Sequence, residues 1–206
     1  MPLILNKYEN TFRLALWSLT EDLNFFEAKA HLTNADKEAY SKIKSLSRKK
    51  EWLAVRVLLY EVLGFWPQIT YTETGKPLLQ NHTRHLSVSH SKEMVGILLC
   101  TNPYAGIDIE RTDRSIEKVS ARFLSDNELD QLNKQPESFS RILYWCAKEA
   151  VFKAVGESNI LFSKQIAIKA VNKDGTIISH FKSEHENLDF ILNYMELNNH
   201  MIVWTT

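Results

Sequence analysis

The chain has 206 residues, 44% of them hydrophobic and 24% charged, which suits one sizeable domain, or two small ones sharing a core, and argues against disorder. Lysine plus arginine and aspartate plus glutamate each total 25, so net charge gives no affinity for nucleic acid or membrane surfaces, and an anionic ligand must be met by local groups. Cys100 and Cys146 lie in apolar stretches without metal or redox spacing, the N-terminal apolar run is too short for a signal peptide, and no stretch approaches the roughly 18 apolar residues of a membrane span; a reduced, soluble, cytoplasmic protein is expected.

Short β-prone stretches at residues 3–5 and 12–17 predict an opening strand or two, and Thr20-Glu21-Asp22 the start of a helix. Residues 35–63 carry one helical pattern that is basic at its centre, with Lys42, Lys44, Arg48, Lys49, Lys50 and Arg56 among apolar residues, and Gly64 is placed to end it. Strands follow at 69–72, 86–89 and 94–100, with a turn over 73–77. The second half repeats that order: a strand at 105–110, helical segments around 122–132 and 139–155, Gly156 as stop, a strand at 165–171, a turn over 173–175 and further strands ending at 201–204. Residues 52–64 (Trp-Leu-Ala-Val-Arg-Val-Leu-Leu-Tyr-Glu-Val-Leu-Gly) match residues 145–156 (Trp-Cys-Ala-Lys-Glu-Ala-Val-Phe-Lys-Ala-Val-Gly) with one residue of length difference. Either a duplicated unit or two amphipathic helices of like composition account for that match.

Five groups of residues carry candidate chemistry. In the strand 106–110, side chains alternate, so Asp108 and Glu110 share one face and Ile107 and Ile109 the other. Two converging carboxylates favour a hard cation such as magnesium, although an edge strand with one solvated face reads the same way. Glu149 and Lys153 lie four apart on one face of a helix rich in Trp, Cys, Ala, Val and Phe, where charges at the margin of a buried face need partners. Glu149 is therefore a candidate third metal carboxylate, and Lys153 or Lys148 a candidate phosphate cation. Ser87, Ser89 and His90 offer hydroxyls and an imidazole at a strand end, and Gly75-Lys76-Pro77 is a tight turn able to bring backbone amides and an ammonium to a phosphate, or an ordinary hairpin turn. The cluster of Lys44, Arg48, Lys49, Lys50 and Arg56 is either a phosphate site or a solvated helix face.

In this order, the pieces resemble the 4'-phosphopantetheinyl transferase superfamily, closest to its larger, pseudo-dimeric class typified by the surfactin-synthetase activating enzyme. The resemblance rests on Gly75 to Pro77, Ser87 to His90, Gly106 to Glu110, the Arg122-Phe123-Leu124-Ser125-Asp126-Asn127-Glu128 segment and the Trp145 to Lys153 helix. It covers about two-thirds of the chain. One departure is Gly156-Glu157-Ser158-Asn159-Ile160, which stands where many members carry a Gly-x-Gly-Leu turn.

The resemblance implies transfer of phosphopantetheine from coenzyme A to a serine of an apo acyl or peptidyl carrier protein, releasing 3',5'-ADP. It implies magnesium on Asp108, Glu110 and Glu149; coenzyme A phosphates on Lys153, Ser89, His90 and Lys76; and Arg48, Lys49 and Arg56, with Lys44 behind them, as candidates for the 3'-phosphate. Lys153 would also stabilise the transition state, and the serine proton would go to Glu149 or, as second choice, Glu128. The fold expected is mixed α/β: two similar halves, 1–103 and 104–206, in a pseudo-twofold arrangement, each a small mainly antiparallel sheet with a long helix, forming a monomer with the site in the cleft between them. Coenzyme A binding without transfer, and magnesium-dependent phosphohydrolysis, are the competing activities.

Overall fold

The computed structural model describes residues 2–134 and 141–206. A four-stranded antiparallel sheet is built from β1 (Leu3–Tyr8), β2 (Phe12–Ser18), β5 (His85–Ser91) and β6 (Met94–Cys100), in the order β1-β2-β6-β5. A five-stranded antiparallel sheet follows from β7 (Ile107–Arg111), β8 (Ile166–Val171), β9 (Thr176–Lys182), β10 (Asn187–Leu197) and β11 (His200–Thr205), in the order β7-β11-β10-β9-β8. Between β2 and β5 the chain forms α1 (Leu23–Lys29), α2 (Asn34–Ser41), α3 (Leu46–Leu63) and the hairpin β3 (Ile69–Tyr71) with β4 (Pro77–Leu79). Between β7 and β8 it forms α4 (Ser120–Phe123), α5 (Asp126–Lys134), α6 (Arg141–Val155) and α7 (Phe162–Gln165).

Period-two alternation decides which faces meet. In β2 and β6, Ala15, Trp17, Val95, Ile97 and Leu99 pack with Leu53, Ala54, Val57 and Leu58 of α3. The alternate residues Leu14, Leu16, Leu98 and Cys100 pack with Ile107, Ile109, Ile202 and Trp204 of β7 and β11. The other faces of the second sheet, including Ile177, Leu192 and Val203, pack with Ala147, Ala150 and Val151 of α6. The two sheets therefore share a central core, with one long helix on each outer face. Two glycines set the separations. A Cβ on Gly96 would lie 2.5 Å from Ile109 Cδ1, and one on Gly106 would lie 2.0 Å from the carbonyl oxygen of Ala150, so side-chain-free positions let the sheets, and then α6 and β7, approach closely.

The mixed α/β layout of two sheet-and-helix halves agrees with the sequence, and Gly64 and Gly156 end α3 and α6 at φ of 79° and 72°. Three boundaries differ. The single helical span expected over 35–63 is two helices, because Ser45 accepts a hydrogen bond from Arg48 N and starts α3 afresh. The span expected at 122–132 breaks at Leu124 and Ser125, where Ser125 and Glu128 cap each other reciprocally. The short helix α7 has no counterpart in the sequence reading. Residues 139 and 140, at the start of the helix expected over 139–155, lie outside the described residues. No helix among the described residues is long and apolar enough to cross a membrane.

Candidate functional site

The site begins where the two sheets touch along β5 and β7. Among the described residues neither strand has a ladder partner on that side; instead Ser87 Oγ accepts from Ile107 N and Ser89 Oγ from Ile109 N, both at 3.1 Å. This seam holds the middle of β7 in place. Asp108 and Glu110 then project toward α6, opposite Ile107 and Ile109, as the alternation requires.

Asp108 is 5% exposed. Its Oδ1 accepts from Ser89 Oγ at 3.1 Å and from Lys153 Nζ at 2.8 Å, while its buried Oδ2 has no hydrogen-bond partner among the described residues. Glu110 Oε1 accepts from Trp145 Nε1 at 3.1 Å and is paired with Arg114, whose guanidinium also lies over the Trp145 ring. Burial, then the charge of Asp108, raise the pKa of Glu110. The same two causes in the same order raise Glu149 to about 7. Three carboxylates thus repel one another across a partly desolvated space, with Lys153 and Arg114 offsetting them.

That surplus of negative charge, with an orphaned buried carboxylate oxygen at its centre, is a donor set suited to a hard dication. As the side chains stand, no three His, Cys, Asp or Glu groups among the described residues are gathered closely enough to hold one. The oxygens of Asp108 and Glu110 that have partners are occupied by Lys153, Ser89, Trp145 and Arg114.

A pocket of about 430 Å³ opens on the α3 side of β5, lined by Arg48, Trp52, Arg56, Tyr71, Gly75, Pro77 and His90 among others. Arg48 Nη1 lies 2.8 Å from His90 Nε2, and Glu51 Oε2 lies 3.5 Å from Nδ1. Burial is the main cause lowering the pKa of His90. A second pocket of about 180 Å³ shares Gly75, Pro77 and Val88 with the first and continues to Lys76, Phe152, Lys153 and Gly156. The β3–β4 turn therefore joins the cationic pocket of one half to the charged face of α6 in the other.

Several expected site residues are placed differently. Glu128 is 2% exposed, and Lys148 0%; Glu128 accepts from Lys148 Nζ at 2.7 Å, from Ile168 N at 2.8 Å and from the Ser125 amide and hydroxyl. Lys148 also donates to the carbonyls of Phe162 and Ile166. Both side chains therefore spend their hydrogen bonds inside this buried pair and on the backbone around it. Ser89 is 4% exposed and uses its whole hydroxyl on Ile109, Asp108 and Lys153, so it has no donor left for a phosphate.

Arg56 lines the pocket but is 3% exposed, stacked 3.3 Å over the Trp52 ring and bonded to Asp36 at 3.1 Å. Lys76 donates to Ala154 O at 2.5 Å and Pro103 O at 3.0 Å, meeting the C-terminal end of α6 from the other half. Lys49 lies over Tyr40, outside the residues lining the pocket, and Lys44 does not line it either. Sequence reasoning missed Asp36, Glu51, Tyr71 and Arg114. Arg114 stands four positions after Glu110, Glu51 three after Arg48, and Asp36 three after Thr33 in a capping box, whereas Tyr71 had no such local signal.

A family model described as the 4'-phosphopantetheinyl transferase superfamily matches residues 104–195. Over 150 residues the chain is 31% identical to the 4'-phosphopantetheinyl transferase AcpT of Salmonella typhi, spanning 69% of this chain and 73% of that relative. It is also 31% identical over 153 residues to AcpT of Escherichia coli O157:H7, spanning 69% and 72% of the two chains. The 4'-phosphopantetheinyl transferase gsp of Aneurinibacillus migulanus is 36% identical over 113 residues, 51% of this chain and 46% of that protein.

Proposed function

The chain belongs to the 4'-phosphopantetheinyl transferase superfamily, and from that membership we propose that it transfers the 4'-phosphopantetheine moiety of coenzyme A to a serine of an apo acyl or peptidyl carrier protein. The serine Oγ forms a bond to the β-phosphorus, the bond from that phosphorus to the bridging oxygen breaks, and 3',5'-ADP leaves. The observation that carries this reading is the convergence of Asp108, Glu110, Glu149 and Lys153 beside a groove that continues to Arg48 and His90.

In this proposal residues 1–103 supply most of the cations that meet coenzyme A phosphates, and residues 104–206 supply the carboxylates and the catalytic helix with Lys153. Arg48 and His90 bind the 3'-phosphate end, with Arg56 as a fixed charge behind them. Lys153 and Lys76 flank the diphosphate, and Lys153 stabilises charge that builds on its oxygens. Asp108, Glu110 and Glu149 would hold magnesium, which when bound supplies positive charge to the diphosphate. Glu149 takes the serine proton; its pKa is raised to about 7 by burial and by Asp108 in the metal-free protein, and bound magnesium would lower it and keep the carboxylate ionised. One chain carries both walls of the groove, which supports a monomer.

The test is incubation of the protein with coenzyme A, magnesium and an apo acyl carrier protein, followed by intact-mass spectrometry of the carrier. A gain of about 340 Da that EDTA abolishes is expected. Coenzyme A binding without any gain across several apo carriers would leave a binding protein. Coenzyme A hydrolysed with no carrier present would make the chain a phosphohydrolase.

A further inference from the structure

We propose that Ser89 is a positioning residue for the transfer reaction, fixing Asp108 and Lys153 from across the seam between the sheets, and that its hydroxyl does not bind a coenzyme A phosphate. The proposal rests on the transferase reading above and deepens it at one residue. A serine hydroxyl has one proton to give and two lone pairs to receive. Ser89 gives its proton to Asp108 Oδ1 at 3.1 Å and receives from Ile109 N at 3.1 Å and Lys153 Nζ at 3.0 Å. It is 4% exposed, so a phosphate reaching that oxygen would have to displace one of three partners.

The three bonds have separate consequences. Ile109 N locks the register of β7 against β5. The bond to Asp108 pins Oδ1, which leaves Oδ2 without an N–H or O–H donor among the described residues, with the Cys146 thiol beside the carboxylate. The bond from Lys153 adds a third acceptor to Ile107 O at 3.0 Å and Asp108 Oδ1 at 2.8 Å, so the ammonium is held at a defined height along α6. Groups that orient a ligating carboxylate or a catalytic cation in this way change chemistry without touching the substrate.

Two residues earlier, Ser87 provides an internal control. Its Oγ accepts from Ile107 N at the same 3.1 Å and is 3% exposed, but it bonds neither the carboxylate nor the ammonium. Ser87→Ala thus removes a seam bond and one hydroxyl at the wall of the Lys76 and Lys153 pocket, whereas Ser89→Ala removes a seam bond and the anchor of Asp108 and Lys153.

Wild type, S87A and S89A are compared in three measurements: thermal midpoint, coenzyme A affinity by calorimetry in EDTA, and kcat and KM for transfer to an apo carrier with magnesium. Both variants are expected to lose thermal stability, S89A more than S87A because it gives up three hydrogen bonds rather than one. S89A is expected to lose about 10- to 100-fold in kcat while its coenzyme A affinity stays within about 2-fold of wild type, and S87A to lose less than about 3-fold in kcat. A loss of coenzyme A affinity above about 10-fold in S89A, with kcat at saturation unchanged, would place the hydroxyl on a phosphate and overturn the proposal. Equal kcat losses in S87A and S89A would reduce Ser89 to a seam residue and overturn it too. If S89A does not fold, S89C keeps the volume with only a weak donor and makes the same comparison. A wild-type protein that modifies no carrier sinks the transferase reading itself and takes the proposal with it; an active wild type with either adverse variant result sinks the proposal alone.

Discussion

The two long helices occupy equivalent places but set residues of opposite charge at one matching position. Each follows the first shared strand of its half, packs on an antiparallel sheet, contains a Trp-x-Ala segment and ends at a left-handed glycine. Four residues after that tryptophan α3 has Arg56 and α6 has Glu149. Around Arg56 gather Arg48 and His90; around Glu149 gather Asp108 and Glu110. Each half also has a deeply buried ion pair among the described residues, Arg56 with Asp36 and Lys148 with Glu128. In α3 the residue in that pair also lines the pocket, whereas in α6 the two tasks fall on neighbours: Lys148 is buried in the structural pair and Glu149 faces the carboxylate cluster. The difference teaches that the placement of a helix on its sheet fixes where a charge sits, and the partners on facing elements decide whether it is structural or available.

The sharpest way to break this division is to change each member of the neighbouring pair. Glu149→Gln keeps the shape of the side chain and removes both the base and a carboxylate, so kcat is expected to fall about 10²- to 10⁴-fold. Carrier mass spectrometry against time measures it, and retention of more than a tenth of wild-type kcat would remove Glu149 from the chemistry. Glu128→Ala is expected to act on stability instead. It leaves Lys148 charged and buried with only two carbonyls, a change that costs about 3–5 kcal/mol in comparable buried pairs. Denaturant unfolding reads that loss, and a variant as stable as wild type would mean the pair does not hold α5, α6 and β8 together.

Much of this arrangement was legible because it is periodic. Alternation along 106–110 put Asp108 and Glu110 on one face, the four-residue spacing put Glu149 beside Lys153, and glycines marked the ends of both helices. What escaped was set by distant partners. Glu128 looks available in a polar segment until Lys148, 20 positions away, is packed against it. Ser89 looks like a phosphate donor until β7 and α6 claim its hydroxyl, and Lys76 meets its acceptor 78 residues away at the end of α6. The break between α2 and α3 carries neither glycine nor proline, and its one local sign was the capping residue Ser45.

The carboxylate half also has a pH signature of its own. Glu149 has a folded pKa of about 7 against an ordinary value of 4.5, so the folded state holds this proton more tightly than the unfolded chain. Its contribution to stability is complete below pH 4.5 and is lost as pH rises through about 7. Metal-free Glu149→Gln, neutral throughout, escapes that loss. It is expected to match wild type at acid pH and to exceed it at pH 8 by up to about 3 kcal/mol. Adding magnesium should narrow the gap, since a bound cation favours the ionised carboxylate. Unfolding curves in EDTA across this range decide it, and parallel pH profiles for the two proteins would show that Glu149 is not strained by its neighbours.

The smallest effect is expected on the cationic side, and it sharpens the contrast most. Arg48 is largely exposed, with its side chain at 61%, and it stands beside His90 with Arg56 behind it in the same pocket. Removing one of several cations around a solvated phosphate costs little, because the others and water take up the charge. Arg48→Ala is expected to weaken coenzyme A binding about 3- to 10-fold and to leave dephospho-coenzyme A nearly unaffected, as competition calorimetry can measure. If both ligands lose equally, Arg48 does not meet the 3'-phosphate, and the cationic pocket serves some other part of the molecule. If neither loses, the charge of α3 is a solvated surface, and the two helices are related in shape without a division of labour.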